Sequence, residues 1–203
     1  MEQNTPEWLA WRRTGIGASD TPKILGLSTH GDMLDVFIEK VYGVENEDTY
    51  ILNKGHEIEE QVRANYQITG DGDFPKACRQ KKVVPTKNQR IIESIDDKEW
   101  LLASADGWNE EKRIGLEIKY TGEENMNPET EVPMLFRVQC WQQIDVFDAN
   151  GWILLMSNDG VNIRKEPIEL DKREYNKIKT KLRKFQERVE KYRATRVSDQ
   201  SNI

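Results

Sequence analysis

The spacing of hydrophobic positions changes period along this chain, from helical to alternating and back to helical. Residues 5–13 read as a helix. A second, short helix starts at Ser19-Asp20 with Thr21-Pro22 in its first turn and ends at Gly26. Asp32 to Tyr42 forms a third helix, closed by Gly43. After a polar segment at 44–49, a longer helix runs from Ile51 to Ile68 and stops at the Gly70-Asp71-Gly72 turn. Its Ile58, Val62 and Tyr66 make a core-facing stripe. Lys82–Pro85 and Arg90–Ile95 then read as a hairpin around Thr86-Lys87-Asn88-Gln89, followed by strands at 100–105 and 114–120. A helix over 132–147 precedes strands at 152–157 and 161–168, introduced by Asn150-Gly151 and Asp159-Gly160. Asp171-x-x-Glu174 is a capping box for a last helix, with Tyr175, Ile178, Leu182, Phe185, Val189 and Tyr192 at three- and four-residue spacing. The tail after Ala194 is expected to fray. This order predicts an α/β (α+β) fold with a central mixed β-sheet flanked by helices. One domain is expected over 1–203: a helical part at 1–72, a sheet core at 80–170 and a C-terminal helix at 171–193.

Composition narrows the class. A third of the residues are charged, so the surface is heavily solvated, and 203 residues suffice for a substantial core. No apolar run approaches membrane-spanning length, and MEQNTPEW lacks the basic-then-apolar form of a signal peptide, so a cytoplasmic location without membrane partners is expected. Cys78 and Cys140 stand apart without CxxC spacing, and His30 and His56 are the only histidines, which argues against zinc, iron–sulfur and disulfide frameworks. The net charge is −6, yet residues 171–193 hold ten Lys/Arg against four Asp/Glu, leaving −12 for the rest.

Candidate chemistry lies in two adjacent strands. In IGLEIKY (114–120), Ile114, Leu116, Ile118 and Tyr120 alternate with Gly115, Glu117 and Lys119, so a carboxylate and an ammonium share one face. The preceding strand ends at Asp106, beside a glycine able to turn. Alone, an Asp-Gly pair is a turn and Glu-x-Lys a solvated face. Together, two acids and a lysine at the ends of neighbouring strands suit Mg²⁺ or Mn²⁺ phosphodiester chemistry, with the Ile118 carbonyl as a further oxygen ligand. On helix 132–147, Gln139 and Gln143 fall within the apolar face formed by Val132, Phe136, Cys140, Ile144 and Phe147. Buried amides need partners, at a cost of about 1–3 kcal/mol each if unmet. Gln139 is read as functional, and Gln143 is as consistent with a core role. Glu59 flanks the Ile58/Val62/Tyr66 stripe and reads singly as a solvated charge that can reach the same site. Ser19, at a helix start, reads first as an N-cap and second as a phosphate contact beside Arg12 or Arg13.

The motif order resembles the lambda-exonuclease (YqaJ-type) branch of the PD-(D/E)XK nuclease superfamily. The match runs from Trp8 to Leu155: W-x-x-x-R and I-G-A-S, then Gly55-x-x-x-Glu59, Ser104-x-Asp106-Gly107, Glu117-x-Lys119, and a glutamine on the next helix. A second glutamine expected two positions after the first is Trp141 here. The resemblance implies Mg²⁺ held by Asp106, Glu117 and the Ile118 carbonyl, with Glu59 at a second metal position or its water shell. Lys119 then serves the nucleophile, and Arg12, Ser19 and Gln139 gather around a DNA 5′-phosphate with Ser104 nearby. It further implies a phage or prophage origin and a homotrimeric ring that degrades one strand of duplex DNA from the 5′ end. In that scheme the remaining strand passes to a single-strand annealing protein. Two alternatives stay open: an endonuclease or nuclease module of a larger assembly, and a non-catalytic DNA-binding module that oligomerises through the 175–192 stripe.

Overall fold

The alternating segment at 114–120 organises the molecule. The computed structural model describes residues 5–43, 50–69, 77–81 and 99–200. Its strands are β1 (Ile16–Gly17), β2 (Ala77–Lys81), β3 (Leu101–Ala105), β4 (Gly107–Asn109), β5 (Ile114–Tyr120), β6 (Gly151–Ser157) and β7 (Arg164–Ile168). Its helices are α1 (Pro6–Arg12), α2 (Thr21–Ile24), α3 (Met33–Tyr42), α4 (Tyr50–Thr69), α5 (Met134–Phe147) and α6 (Lys172–Gln200), with a 3₁₀ turn at Glu123–Asn125. The class is mixed α/β, as expected. The ladders fall into two sets, β1-β3-β2 and β4-β5-β6-β7, and each contains parallel and antiparallel neighbours. Asp106, the single residue between β3 and β4, is where the chain passes from one set to the other.

The two faces of β5 carry different cores. Leu116 and Ile118 pack with Leu155 against Ile58, Val62 and Tyr66 of α4. Each such side chain stabilises the fold by about 1.5–3 kcal/mol. The opposite face belongs to the larger core, where β5 and β6 run parallel and α5 forms the crossover. Gly115 sits there because Trp152 occupies the space beside it: a Cβ at 115 would lie 2.1 Å from Trp152 Cζ3. Gly115→Ala is therefore expected to destabilise the protein by about 1–3 kcal/mol, seen as a lower urea midpoint.

Helix ends follow local chemistry. Thr5 Oγ1 accepts from Trp8 N–H at 3.2 Å, and Asp32 with Asp35 forms a reciprocal capping box for α3. Gly43 ends α3 at φ +70°. Asp171 Oδ1 accepts from the amides of Arg173 and Glu174, as the capping motif predicts. Five of the six stripe residues on α6 are buried in the main core, and the sixth, Tyr192, packs edge-on to Phe37 and Tyr42.

Several boundaries differ from expectation. The last helix continues to Gln200 rather than fraying after Ala194. The 132–147 helix begins at Met134, because Pro133 holds an extended backbone at its N-cap. The expected strand at 161–168 starts at Arg164, since Asp159 accepts from the amides of Val161 and Asn162 and holds a turn there. Gly107 does not turn the chain but continues into β4. The strands β1 and β4, of two and three residues, are too short for a period to register. The hairpin at 82–95, the polar segment 44–49 and the Gly70-Asp71-Gly72 stop lie outside the described residues. Among those residues, no helix is long and apolar enough to cross a membrane.

Candidate active site

Just before β4 begins, Ile118 has no strand partner on the β4 side of β5, and Asp106 supplies one. The last register pair is Gly107 with Leu116, and the Asp106 Oδ2 atom accepts the Ile118 N–H at 2.9 Å. The N–H and C=O of one strand residue point to the same side, so the Ile118 carbonyl turns toward Asp106 as well. Arg63 on α4 holds this junction from the other direction. Its guanidinium donates to the Asp106 main-chain carbonyl and approaches Asp106 Oδ1 at 3.8 Å.

Glu117 stands on the α5 face, 4 % exposed. The Lys119 Nζ lies 2.6 Å from its Oε1, which Gln139 Nε2 also contacts. Gln143 Nε2 donates to Oε2 and to the Ser104 carbonyl, the latter at 2.9 Å. Burial pushes the Glu117 carboxyl up to about 7; the Lys119 ammonium opposes that rise and the Asp106 charge adds to it. Burial alone would lower the Lys119 pKa. The charges of Glu117, Glu59 and Asp106 outweigh it and hold the amine protonated.

The expected residues thus divide into two groups. Asp106, Glu117, Ile118, Lys119 and Gln139 converge, Glu59 acts on Lys119 through its charge, and Ser104 joins by its carbonyl. Arg12 and Ser19 are engaged differently. Arg12 contacts Asp20 at 2.7 Å and Glu39 at 3.6 Å and rests over the Trp8 ring. Ser19 is exposed, and Asp20 rather than Ser19 occupies the N-cap of α2, without a side-chain capping bond. Among the described residues, no contact links Arg12 or Ser19 to Gln139. Their segment reaches α5 through the buried Gln142, whose Nε2 binds the Ile16 and Leu102 carbonyls and whose Oε1 accepts from Thr21. Trp141 donates to the Glu169 carbonyl at 2.8 Å.

Four partners were not anticipated: Arg63, Gln143 on the carboxylate, and the pair Asp20 and Lys40. Arg63 was within reach, being one turn beyond Glu59 on the same helix. Lys40 and Asp20 meet at 2.7 Å with both side chains fully buried.

The donor set fits a hard divalent cation. A carboxylate offers about four lone-pair sites, and Glu117 receives three donors. Two carboxylates and a carbonyl are all-oxygen ligands of the kind Mg²⁺ and Mn²⁺ prefer. Among the described residues, no group of three or more His, Cys, Asp or Glu side chains stands together as a metal cluster.

Residues 7–150 match the model of the YqaJ-like viral recombinase domain. The chain belongs to this family. No curated protein matches the sequence. Among solved structures, the YqaJ-like chain is similar to an alkaline exonuclease (LHK-Exo) from Laribacter hongkongensis. The two share 18 % identity and a TM-score of 0.71, over 98 % of this chain and 99 % of that one. The same exonuclease in complex with dAMP matches with a TM-score of 0.69 at 18 % identity, again over 98 % and 99 %. A phage-related exonuclease from Haemophilus somnus 129PT is 13 % identical with a TM-score of 0.59, over 92 % of this chain and 96 % of that one. At these identities the likeness is one of fold.

Proposed function

We propose that this YqaJ-like protein is a divalent-metal-dependent deoxyribonuclease that hydrolyses linear duplex DNA from its ends, 5′ to 3′, in phage-type recombination. The observation that carries this reading is the meeting of Asp106, Glu117 and Lys119 at the junction of β3, β4 and β5. Family membership supports a recombination role. A related fold that takes dAMP, a mononucleotide of the class an exonuclease releases, supports cleavage at ends.

Asp106, Glu117 and the Ile118 carbonyl would hold Mg²⁺ or Mn²⁺. When bound, the ion lowers the pKa of a coordinated water and offsets charge on the phosphoryl oxygens. Lys119 stays an ammonium beside Glu117, so its role is to orient the attacking water and stabilise negative charge as the P–O bond breaks. Gln139 and Gln143 fix the Glu117 carboxylate, and Ser104 supports Gln143 through its carbonyl. Glu59 would serve a second metal position or the water shell of the ion. Arg12 and Ser19 are assigned to a terminal 5′-phosphate on the strength of their motifs. The ring-shaped homotrimer and a single-strand annealing partner extend the same reading.

The 175–192 stripe that favoured a non-catalytic oligomerising module packs on the chain's own core instead. A test of end dependence uses Mg²⁺ with linear and covalently closed duplexes of one sequence: nucleotide release from the linear form alone is expected. Equal attack on both would identify an endonuclease. A linear duplex ending in a 5′-hydroxyl should be degraded about tenfold or more slowly than its 5′-phosphorylated counterpart, from the loss of a charge-assisted contact. Equal rates on the two ends would remove Arg12 and Ser19 from the assignment.

A further inference from the structure

The basic character of the last helix resolves into a single exposed face. Arg173, Lys177, Lys181, Lys184, Arg188 and Lys191 are all exposed. Their spacing of four, four, three, four and three residues places them within about 80° of one another on a helix. They extend along about 27 Å of its length. The buried stripe of Tyr175, Ile178, Leu182, Phe185 and Val189 lies on the opposite side. The acids of α6 fall off this face or at its edge: Glu174 pairs with Lys177 at 2.6 Å, Glu187 with Arg183 at 3.5 Å, and Glu190 with Arg193 at 3.1 Å. Arg173, Lys181, Lys184, Arg188 and Lys191 have no ion-pair partner among the described residues.

This is an unfavourable arrangement for a merely solvated helix. Successive like charges at three- and four-residue spacing destabilise it, where alternating signs would support it. Residues 171–193 carry a net charge of +6 against −12 for the rest of the chain, so net positive charge is concentrated here. We infer that this face of α6 is a docking surface for the phosphate backbone of duplex DNA outside the reacting nucleotides. The inference rests on the nuclease reading for the identity of the polyanion. Composition selects that occupant. Protein interfaces are depleted in lysine and centred on apolar or aromatic anchors, whereas this stripe is four lysines and two arginines without one. A helix lying on a membrane needs its apolar face outward, and here that face is buried in the core. Evenly spaced, flexible cations match a repeating backbone charge and carry no base readout.

The test compares the wild type, the triple variant Lys181→Gln/Lys184→Gln/Arg188→Gln, and a charge-matched control, Lys112→Gln/Lys165→Gln/Lys172→Gln. The probe is a fluorescein-labelled duplex of about 30 base pairs, a length near three helical turns, titrated in Ca²⁺ by anisotropy across a salt series. Glutamine keeps helix propensity at these exposed positions. The stripe variant should bind at least about tenfold more weakly, with its log K versus log salt slope reduced by about 2.7, and the control should stay within about threefold. At saturating duplex in Mg²⁺ the stripe variant should keep wild-type kcat, with the loss confined to KM. Equal affinities and slopes for wild type and stripe variant, with wild-type cleavage intact, would overturn the docking surface and leave the nuclease reading standing. Stripe-dependent binding to phosphatidylserine–phosphatidylcholine vesicles, or stripe-dependent self-association, without an effect on duplex affinity would overturn it in favour of that partner. A wild type that neither binds nor cuts duplex would overturn both.

Discussion

Glu117→Gln is expected to reduce metal-dependent degradation of linear duplex DNA by about 10³-fold or more while the protein stays folded. The side chain is the meeting point of Lys119, Gln139 and Gln143, and the Asp106 charge acts on it at the β3–β4–β5 junction. Glutamine preserves the shape but removes the charge that both a cation and Lys119 require. The stability readout separates this from unfolding. Burial raises the Glu117 carboxyl to about 7, so between its ordinary value and about 7 the folded protein holds a proton that the unfolded chain releases. In chelator, this site's contribution to stability is fully present at low pH and is lost as pH rises through about 7. The variant lacks that dependence, so its melting midpoint should stay nearly flat between about pH 5 and pH 8, where that of the wild type falls. Wild-type rates in the variant would reject the assignment; a large drop in its midpoint would point to a structural role for Glu117.

Lys40→Met should destabilise the protein by about 3–5 kcal/mol, the cost of leaving one member of a buried pair uncompensated. Asp20 is wholly buried, and Lys40 and Arg12 each approach it to 2.7 Å, while the Gly17 amide donates to its Oδ2 at 2.9 Å. Lys40 also donates to the Arg12 carbonyl at 2.9 Å. Arg193 binds the carbonyls of Arg13 and Lys40, so the cluster ties α1, α3 and α6 into one unit. For a chain of this length the expected fall in Tm is about 6–20 °C. The pH dependence has a defined sign. Burial would raise the Asp20 pKa, but the Lys40 and Arg12 charges hold it well below the usual carboxylate range. That contribution is present above the ordinary carboxylate value of about 3.9 and is lost as pH falls below it. Denaturant titrations of the wild type should lose stability below about pH 4, and Lys40→Met should show a shallower loss. Matching midpoints and slopes would show that Arg12 alone satisfies Asp20.

Because α1 and the start of α2 hang on this cluster, its loss should also displace Arg12 and Ser19. Lys40→Met is therefore expected to narrow the difference in rate between 5′-phosphorylated and 5′-hydroxyl ends, measured well below its melting midpoint.

The sequence revealed what repeats with a period and missed what depends on a single approach. The alternation in 114–120 places Glu117 and Lys119 on one face, and the stripes on α4 and α6 locate both cores. Gln139 was legible because an amide in an apolar helical face needs a partner; the same argument applied to Gln143, whose partner proved to be the same carboxylate. Strands of two or three residues such as β1 and β4 carry no readable period, so Gly107 reads as able to turn where it opens β4. Lys40 escaped notice because its neutralising partner lies twenty residues away, on a different element. Arg12 and Ser19 are grouped with Gln139 by motif alone; Ile16 and Thr21, on either side of Ser19, bond to α5 through Gln142.

The most direct test of the central claim is anomalous diffraction from crystals grown with Mn²⁺ and a short 5′-phosphorylated duplex. A manganese peak between the Asp106 and Glu117 carboxylates, with the Lys119 amine beside the scissile phosphate, is the expected result. Full occupancy by duplex with no anomalous peak at that junction, or a peak bound by other residues, would contradict it.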